Sequence, residues 1–151
     1  MRMVITVYHH ARALNTITCR AFFKGNGIIK KGRILCYGVN QEGDINGKFP
    51  GIHAEHDALR KLMPLRNKKK LESINILVIR VSSKNKIQPS KPCSDCIDKM
   101  ILMPPKIGYN IKNIYYSDSG GSIVKTNLNT LDTEEKHYTK YFRHKRRLIK
   151  N

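Results

Sequence analysis

The sequence lacks several features that would place a protein in particular classes. It has no tryptophan and no apolar run long enough to cross a membrane as a helix. The N-terminal residues are a poor signal peptide, because Tyr8, His9, His10 and Arg12 interrupt any apolar region. We therefore expect an intracellular protein, cytoplasmic or alternatively nuclear, with no membrane partner.

Acidic residues are also scarce. The chain has 11 Asp and Glu against 29 Lys and Arg, which gives a formal net charge of +18. Such a charge favours polyanions, namely RNA, DNA or a nucleotide phosphate. The chain is also rich in Lys, Asn and Ile, a composition that AT-rich coding would produce without selection for binding. Both explanations stay open, so the charge names candidate partners without choosing one.

Cysteine is also scarce, with four residues in the chain, and two of the four are close together. Cys93 and Cys96 form a C-x-x-C pair, whereas Cys19 and Cys36 lie in apolar surroundings. In a reducing compartment a close pair of this kind indicates metal or redox chemistry rather than a structural disulfide. Buried structural thiols are the ordinary explanation for the other two.

The length of 151 residues fits one domain spanning residues 1–151, large enough to bury a core without disulfides or metals. Hydrophobic periodicity predicts helices over residues 1–14, 53–63, 93–103 and 133–151. It predicts strands over residues 17–23, 33–39, 74–81 and 111–116, with residues 122–128 returning antiparallel. The first two strands are predicted to form an antiparallel hairpin. The order predicts an α/β fold in which helices cover the faces of a mixed sheet.

Two short stretches carry the chemistry. One is His53-Ala54-Glu55, and the other is Pro92-Cys93-x-x-Cys96. Zinc prefers nitrogen and thiolate ligands in a tetrahedron, and a catalytic zinc keeps one position for water. His53, Cys93 and Cys96 supply three ligands, and Glu55 supplies a proton acceptor for the water. Each stretch opens a predicted helix beside the buried strand at 74–81, which favours their meeting at one end of the sheet.

Two other interpretations of these residues remain. In a closed structural zinc site, Cys36, Cys19 or His56 would supply a fourth ligand, and the site would do no chemistry. A redox-active C-x-x-C is the other, but no thioredoxin-like arrangement of strands precedes it. The complete pattern, with both helix starts, favours the catalytic interpretation.

H-A-E followed by P-C-x-x-C resembles the zinc-dependent deaminases of the cytidine deaminase-like superfamily. These enzymes include cytidine, deoxycytidylate, polynucleotide cytidine and tRNA adenosine deaminases. The resemblance implies a three-layer α-β-α sandwich around a mixed sheet of about five strands. It also implies a zinc site formed by His53, Cys93 and Cys96, with Glu55 as the proton shuttle. The implied substrate contacts are Asn40 and Ala54. Asn40 matches a residue that contacts the sugar, and Ala54 one that lines the base pocket.

The activity that the resemblance implies is hydrolysis of a C–N bond in a cyclic amidine. Water would attack C4 of cytosine or C6 of adenine, with Glu55 acting as base and then as acid. Our first choice is cytosine in a free nucleoside or nucleotide, converted to the uracil form plus ammonia. The alternative is a deaminase of cytosine or adenine in RNA, tRNA or DNA, supported mainly by the charge. A non-catalytic nucleic-acid-binding protein with a structural zinc is a third class, which Glu55 argues against. Family members often form homo-oligomers.

The branch of the superfamily stays open. Ser94 departs from the glycine common in free-cytidine deaminases and brings residues 93–97 closer to the deoxycytidylate and tRNA branches. The turn at Ser119-Gly120-Gly121 indicates an antiparallel last hairpin, which resembles the free-nucleoside branch. The base-stacking tryptophan frequent in polynucleotide cytidine deaminases is missing.

Overall fold

A computed structural model of the chain describes residues 2–9, 33–41, 43, 51–67, 70–82, 84, 86–134 and 136–138. Within these residues the strands are β1 (Arg2–His9), β2 (Arg33–Val39), β3 (Glu72–Val81), β4 (Ile87–Gln88), β5 (Tyr109–Ser117) and β6 (Ile123–Thr126). The helices are α1 (Ala54–Lys61), α2 (Ser94–Lys106) and α3 (Leu128–Thr133).

The strands form one mixed sheet in the order β2-β1-β3-β5-β6, and the short β4 pairs with β3. The pairs β2–β1, β1–β3 and β3–β5 are parallel. Strand β6 is antiparallel to β5, and β4 is antiparallel to β3. The predicted α/β class with a mixed sheet is confirmed, as are the central strand and the antiparallel return after β5.

The core lies on both sides of β3, as its nearly continuous apolar sequence predicts. All residues from 74 to 79 are buried. On one face, Ile76 and Val78 pack in a cluster with residues of all three helices, namely Ala58, Leu59, Ile97, Met100 and Leu131, and with Leu62 at the end of α1. On the other face, Leu77 and Ile79 pack with strand residues. The described helices therefore cover one face, and no second helical layer is seen among the described residues.

The helix predicted over residues 1–14 is wrong where the structure describes it. Residues 2–9 form β1, which lies between β2 and β3 in the sheet. The run from Val4 to Val7 contains four β-branched residues in succession, which favour an extended backbone. Parallel pairing on both sides completes the hydrogen bonds of this strand. Tertiary pairing thus outweighs an apolar pattern that also fits a helix.

Strand β2 has the predicted bounds, Arg33–Val39. Its predicted hairpin partner, residues 17–23, lies outside the described residues. The neighbour that the structure shows for β2 is β1, and the pairing is parallel rather than antiparallel.

Helix α2 continues past residue 103, its predicted end, through two prolines. Pro104 and Pro105 are helical, and the helix continues to Lys106. A proline has helical φ, but it lacks the N–H that would bond to the carbonyl four residues earlier, so the last turn of α2 forms without two of its helix hydrogen bonds. The helix ends when Gly108 takes a positive φ of 97°.

The helix predicted over residues 133–151 is also wrong where it can be compared. Residue 133 ends α3, and residues 134 and 136–138 are not helical. Residues 139–151 lie outside the described residues. No helix of the described residues combines the length and apolar character that crossing a bilayer requires.

Candidate metal centre

His53 and Cys93 occupy equivalent places at the starts of two helices. Each is the N-cap of its helix, with extended backbone angles of φ −69° and ψ 150° for His53 and φ −77° and ψ 164° for Cys93. Helix α1 follows β2, and α2 follows β3 and the short β4. Both β2 and β3 run parallel to β1. In sheets of this kind, ligand sites form at the carboxyl ends of the strands. The predicted meeting of the two motifs is confirmed.

The three predicted ligand atoms lie close together. Nδ1 of His53 lies 3.2 Å from Sγ of Cys96 and 3.4 Å from Sγ of Cys93. All three atoms lie within 4.8 Å of one another. A tetrahedral zinc with ordinary bond lengths would separate nitrogen and sulfur ligands by about 3.6 Å. His53, Cys93 and Cys96 are therefore positioned to bind a zinc ion.

The thiols of this group have unequal acidity. Hydrogen bonds from Cys96 and then from His53 lower the pKa of Cys93 to about 4, against the opposing effect of burial. The same hydrogen bond, together with burial, raises the pKa of Cys96. The bond to Cys93 also raises the pKa of His53. Cys93 thus supplies a thiolate at neutral pH, whereas Cys96 must release a proton when zinc binds.

Glu55 lies next to this group and is completely removed from solvent. It occupies the first turn of α1, two residues after His53. Its negative charge contributes to raising the pKa of both His53 and Cys96, so its carboxylate acts on two of the three ligand residues. A buried carboxylate beside a metal group is well placed to move a proton.

The two predicted substrate residues have different surroundings. Ala54 is fully buried, whereas Asn40 is exposed directly after β2. The next residue, Gln41, pairs with Ile52 through two backbone hydrogen bonds of 2.8 and 3.0 Å. Since Ile52 precedes His53, this bridge brings Asn40 to the edge of the metal-binding turn.

Asp57 is the main residue that sequence reasoning missed. Its carboxylate is buried and accepts hydrogen bonds from the Val39 amide, 2.9 Å, and from the Gln41 side chain, 3.2 Å. Lys61 completes its contacts at 2.6 Å. The available signal was an acidic residue placed between Ala54 and Ala58 on the apolar side of a predicted helix.

A second overlooked contact lies at the start of α2. The Ser94 amide donates to the carbonyl oxygen of His137 at 2.8 Å, and Lys91 forms an ion pair with Glu134. The chain after α3 therefore runs beside the residues that flank Cys93. No local sequence signal connects positions so far apart.

Neither Cys36 nor His56 lies where it could act as a fourth metal ligand. The thiol of Cys36 donates to the Ala58 carbonyl at 3.3 Å, and burial raises its pKa to about 11. Desolvation lowers the pKa of His56. Neither joins the metal-binding group, which in the described part of the chain comprises His53 and the C-x-x-C pair. Cys19 lies outside the described residues. The described geometry thus favours a site with three protein ligands.

Comparison with protein families identifies a match that covers most of the chain. Residues 1–114 match the model of the cytidine and deoxycytidylate deaminase zinc-binding region. Comparisons with curated proteins and with solved structures found no match. The matched region contains both motifs and the three residues positioned for zinc. The chain therefore belongs to the cytidine and deoxycytidylate deaminase family, whose members are zinc-dependent hydrolytic deaminases.

Proposed function

We propose that the chain deaminates cytosine in a free nucleoside or nucleotide, releasing ammonia and the uracil form. The observation that carries this proposal is the fully buried Glu55 beside His53, Cys93 and Cys96. A structural zinc site is closed by four protein ligands, so it does not require a buried carboxylate that transfers protons. Three ligands and an adjacent proton carrier are the arrangement that hydrolysis requires.

The three ligand residues and Glu55 have separate roles, metal binding and proton transfer. His53, Cys93 and Cys96 would hold a zinc ion, which would supply the Lewis acid that makes water nucleophilic at neutral pH. Glu55 accepts the proton of the attacking water and passes it to N3 of the ring. After water has added to C4, Glu55 takes the second proton from the new C4 hydroxyl and delivers it to the exocyclic nitrogen, so that the C–N bond breaks, ammonia leaves and the C4 carbonyl forms. Water and cytosine are consumed, uracil and ammonia are formed, and Glu55 returns to its ionised carboxylate form.

The substrate contacts are assigned to Asn40 and Ala54. The exposed amide of Asn40 offers both donors and an acceptor, which suits the hydroxyl groups of a sugar. Ala54, between His53 and Glu55, places its backbone at the base-binding side of the site. Both Ala54 and Glu55 are fully buried.

A polynucleotide substrate is the second candidate, and the net charge of +18 favours it. Neutralising several phosphates releases counterions, so binding to RNA or DNA weakens steeply with salt. A free nucleoside carries no phosphate, and its binding should be nearly independent of salt.

The test is ammonia release by the zinc-loaded chain from cytidine, deoxycytidine, their monophosphates, adenosine, and single-stranded RNA and DNA. Each active substrate is then measured at about 50 and 200 mM salt, over which a substrate making several phosphate contacts loses orders of magnitude in affinity. We expect release from a free cytosine compound with little salt dependence. Release from polynucleotides alone, lost at the higher salt, would favour the second candidate. No release from any of them would contradict the proposal.

A further inference from the structure

Asp57 joins three parts of the site. Its backbone amide donates to the carbonyl oxygen of His53 at 2.9 Å, which is the first hydrogen bond of α1. Its carboxylate holds the end of β2 through the Val39 amide and the Gln41 side chain. One buried residue thus connects the metal-binding turn, the helix that carries Glu55 and the chain on either side of Asn40.

The segment from 39 to 41 is held from two directions. Asp57 binds Val39 and Gln41 from the side of α1, at 2.9 and 3.2 Å. Ile52 binds both backbone groups of Gln41 from the side of the metal-binding turn. Asn40 lies between the two bound residues, and its side chain remains exposed. The backbone of Asn40 is therefore fixed while its side chain is available to a ligand.

A buried carboxylate needs such partners, because removing a charge from water is costly unless hydrogen bonds replace the lost solvation. Asp57 is 5% exposed and accepts from a backbone amide, a side-chain amide and an ammonium group. Lys61, which is half exposed, balances its charge from the next turn of the helix. An apolar residue at this buried position would satisfy the packing of α1, so packing alone does not account for an acid here.

We propose that Asp57 is a positioning residue for substrate binding, which fixes the segment from Val39 to Gln41 so that Asn40 meets the substrate sugar. Asp57 itself contacts neither the zinc ion nor the reacting atoms. The inference rests on the proposed function for the role of Asn40, whereas the clamp on Val39 and Gln41 is a property of the fold. A misplaced binding group raises KM, and a group that acts only in binding leaves kcat nearly unchanged.

The first measurement follows the clamp without using activity. In the zinc-loaded protein, hydrogen exchange is compared for wild type, Asp57→Asn and Asp57→Ala. Loss of a hydrogen bond to a charged acceptor should speed exchange of the Val39 amide by about ten- to a hundredfold in Asp57→Ala. Asp57→Asn keeps one acceptor oxygen and should show a smaller increase. Unchanged exchange at Val39 would overturn the clamp.

The second measurement is the split between KM and kcat. Asp57→Ala should raise KM for the best substrate about tenfold and leave kcat within about twofold, with Asp57→Asn between it and wild type. Asp132→Asn is the matched control. It also removes the ion pair of an acid with a lysine four residues later, Lys136, but this pair lies on the exposed surface. An equal KM in wild type and Asp57→Ala, or a loss confined to kcat, would overturn the positioning role.

Gln41→Met serves if Asp57→Ala does not fold. It removes one donor to Asp57 at an exposed position and leaves the backbone bridge to Ile52 in place. It should raise KM about threefold, since a single hydrogen bond of this kind is worth about 0.5–1.5 kcal/mol. An unchanged KM in this variant would count against the positioning role.

A double-mutant cycle separates this inference from the proposed function. If Asp57 acts through Asn40, then Asn40→Ala should have little further effect on KM once Asp57 has been changed. Additive effects would overturn the route through Asn40. A wild type that deaminates nothing would instead contradict the proposed function, while the exchange of Val39 would still decide the clamp.

Discussion

The α-carbon of Gly38 faces the carbonyl oxygen of Ala54 so closely that a methyl group on Gly38 would lie 1.9 Å from it. The same methyl group would lie 2.6 Å from the Cβ of Ala58. Strand β2 can therefore approach the first turn of α1 only because residue 38 has no side chain. This close packing sets the distance between the end of β2 and the turn that carries His53 and Glu55.

Gly38→Ala should destabilise the protein by about 3 kcal/mol, because the clash is with backbone atoms that cannot rotate away. The free energy of unfolding in urea measures the effect. Gly120→Ala is the control, since a methyl group there would meet only the carboxylate of Asp118 at 3.4 Å. A Gly38→Ala protein as stable as the control would contradict the close packing of β2 on α1.

The sequence predicts the metal centre well because its ligands belong to local motifs. His53 and Glu55 are fixed relative to each other by one helical turn, and Cys93 and Cys96 by another. Only the meeting of the two turns depends on the fold, and the placement of both predicted helix starts beside the buried strand at 74–81 was enough to predict it.

The sequence does not predict the contacts that hold the site from a distance. Asp57 binds the Val39 amide 18 positions away, and Ser94 binds His137. An acidic residue on a helix is usually solvated, and the one local signal, the place of Asp57 on the apolar side of its helix, does not reveal which groups it binds. Strand β1 was predicted as a helix for a related reason. Its apolar pattern fits either structure, and pairing with β2 and β3, which lie far away in the sequence, makes it a strand.

Ser90 holds the chain just before the C-x-x-C motif. Its buried hydroxyl donates to the Val78 carbonyl at 2.8 Å and accepts from the Ser117 amide at 2.9 Å. Ser90→Ala should lower the free energy of unfolding by about 2 kcal/mol, since it leaves buried backbone groups without partners.

The matched control is Ser122→Ala, at an exposed serine that bonds to Asp118 through its backbone. This change should alter stability by less than about 0.5 kcal/mol. Urea unfolding of both variants decides the point, and equal stabilities would contradict the importance of the buried serine.

Zinc affinity should fall as the pH is lowered. The pKa values of His53 and Cys96 are raised, so both groups hold protons that a bound metal must displace. Each displaced proton lowers the affinity by about tenfold per pH unit below the pKa of its group. Competition with a chelator at several pH values between 6 and 9 measures the slope. An affinity independent of pH over this range would contradict the assignment of these ligands.

The cysteines should differ in their reaction with iodoacetamide at pH 8. With a pKa of about 11, Cys36 has only about one thiolate in a thousand molecules. Cys93, with a pKa of about 4, is fully ionised and should react when zinc has been chelated. Added zinc should protect it. Site-resolved mass spectrometry follows each residue, and modification of Cys36 at the rate of Cys93 would contradict the raised pKa of the Cys36 thiol.

The central claim is that Glu55 moves the protons of a zinc-dependent deamination. Its most direct test is ammonia release from the best cytosine substrate by wild type and Glu55→Gln, each checked for bound zinc. Glu134→Gln, at an exposed acid paired with Lys91, is the matched control. We predict full zinc content in all three proteins and a kcat lowered by about 10²–10⁴ in Glu55→Gln alone. Turnover by Glu55→Gln at the wild-type rate would contradict the account.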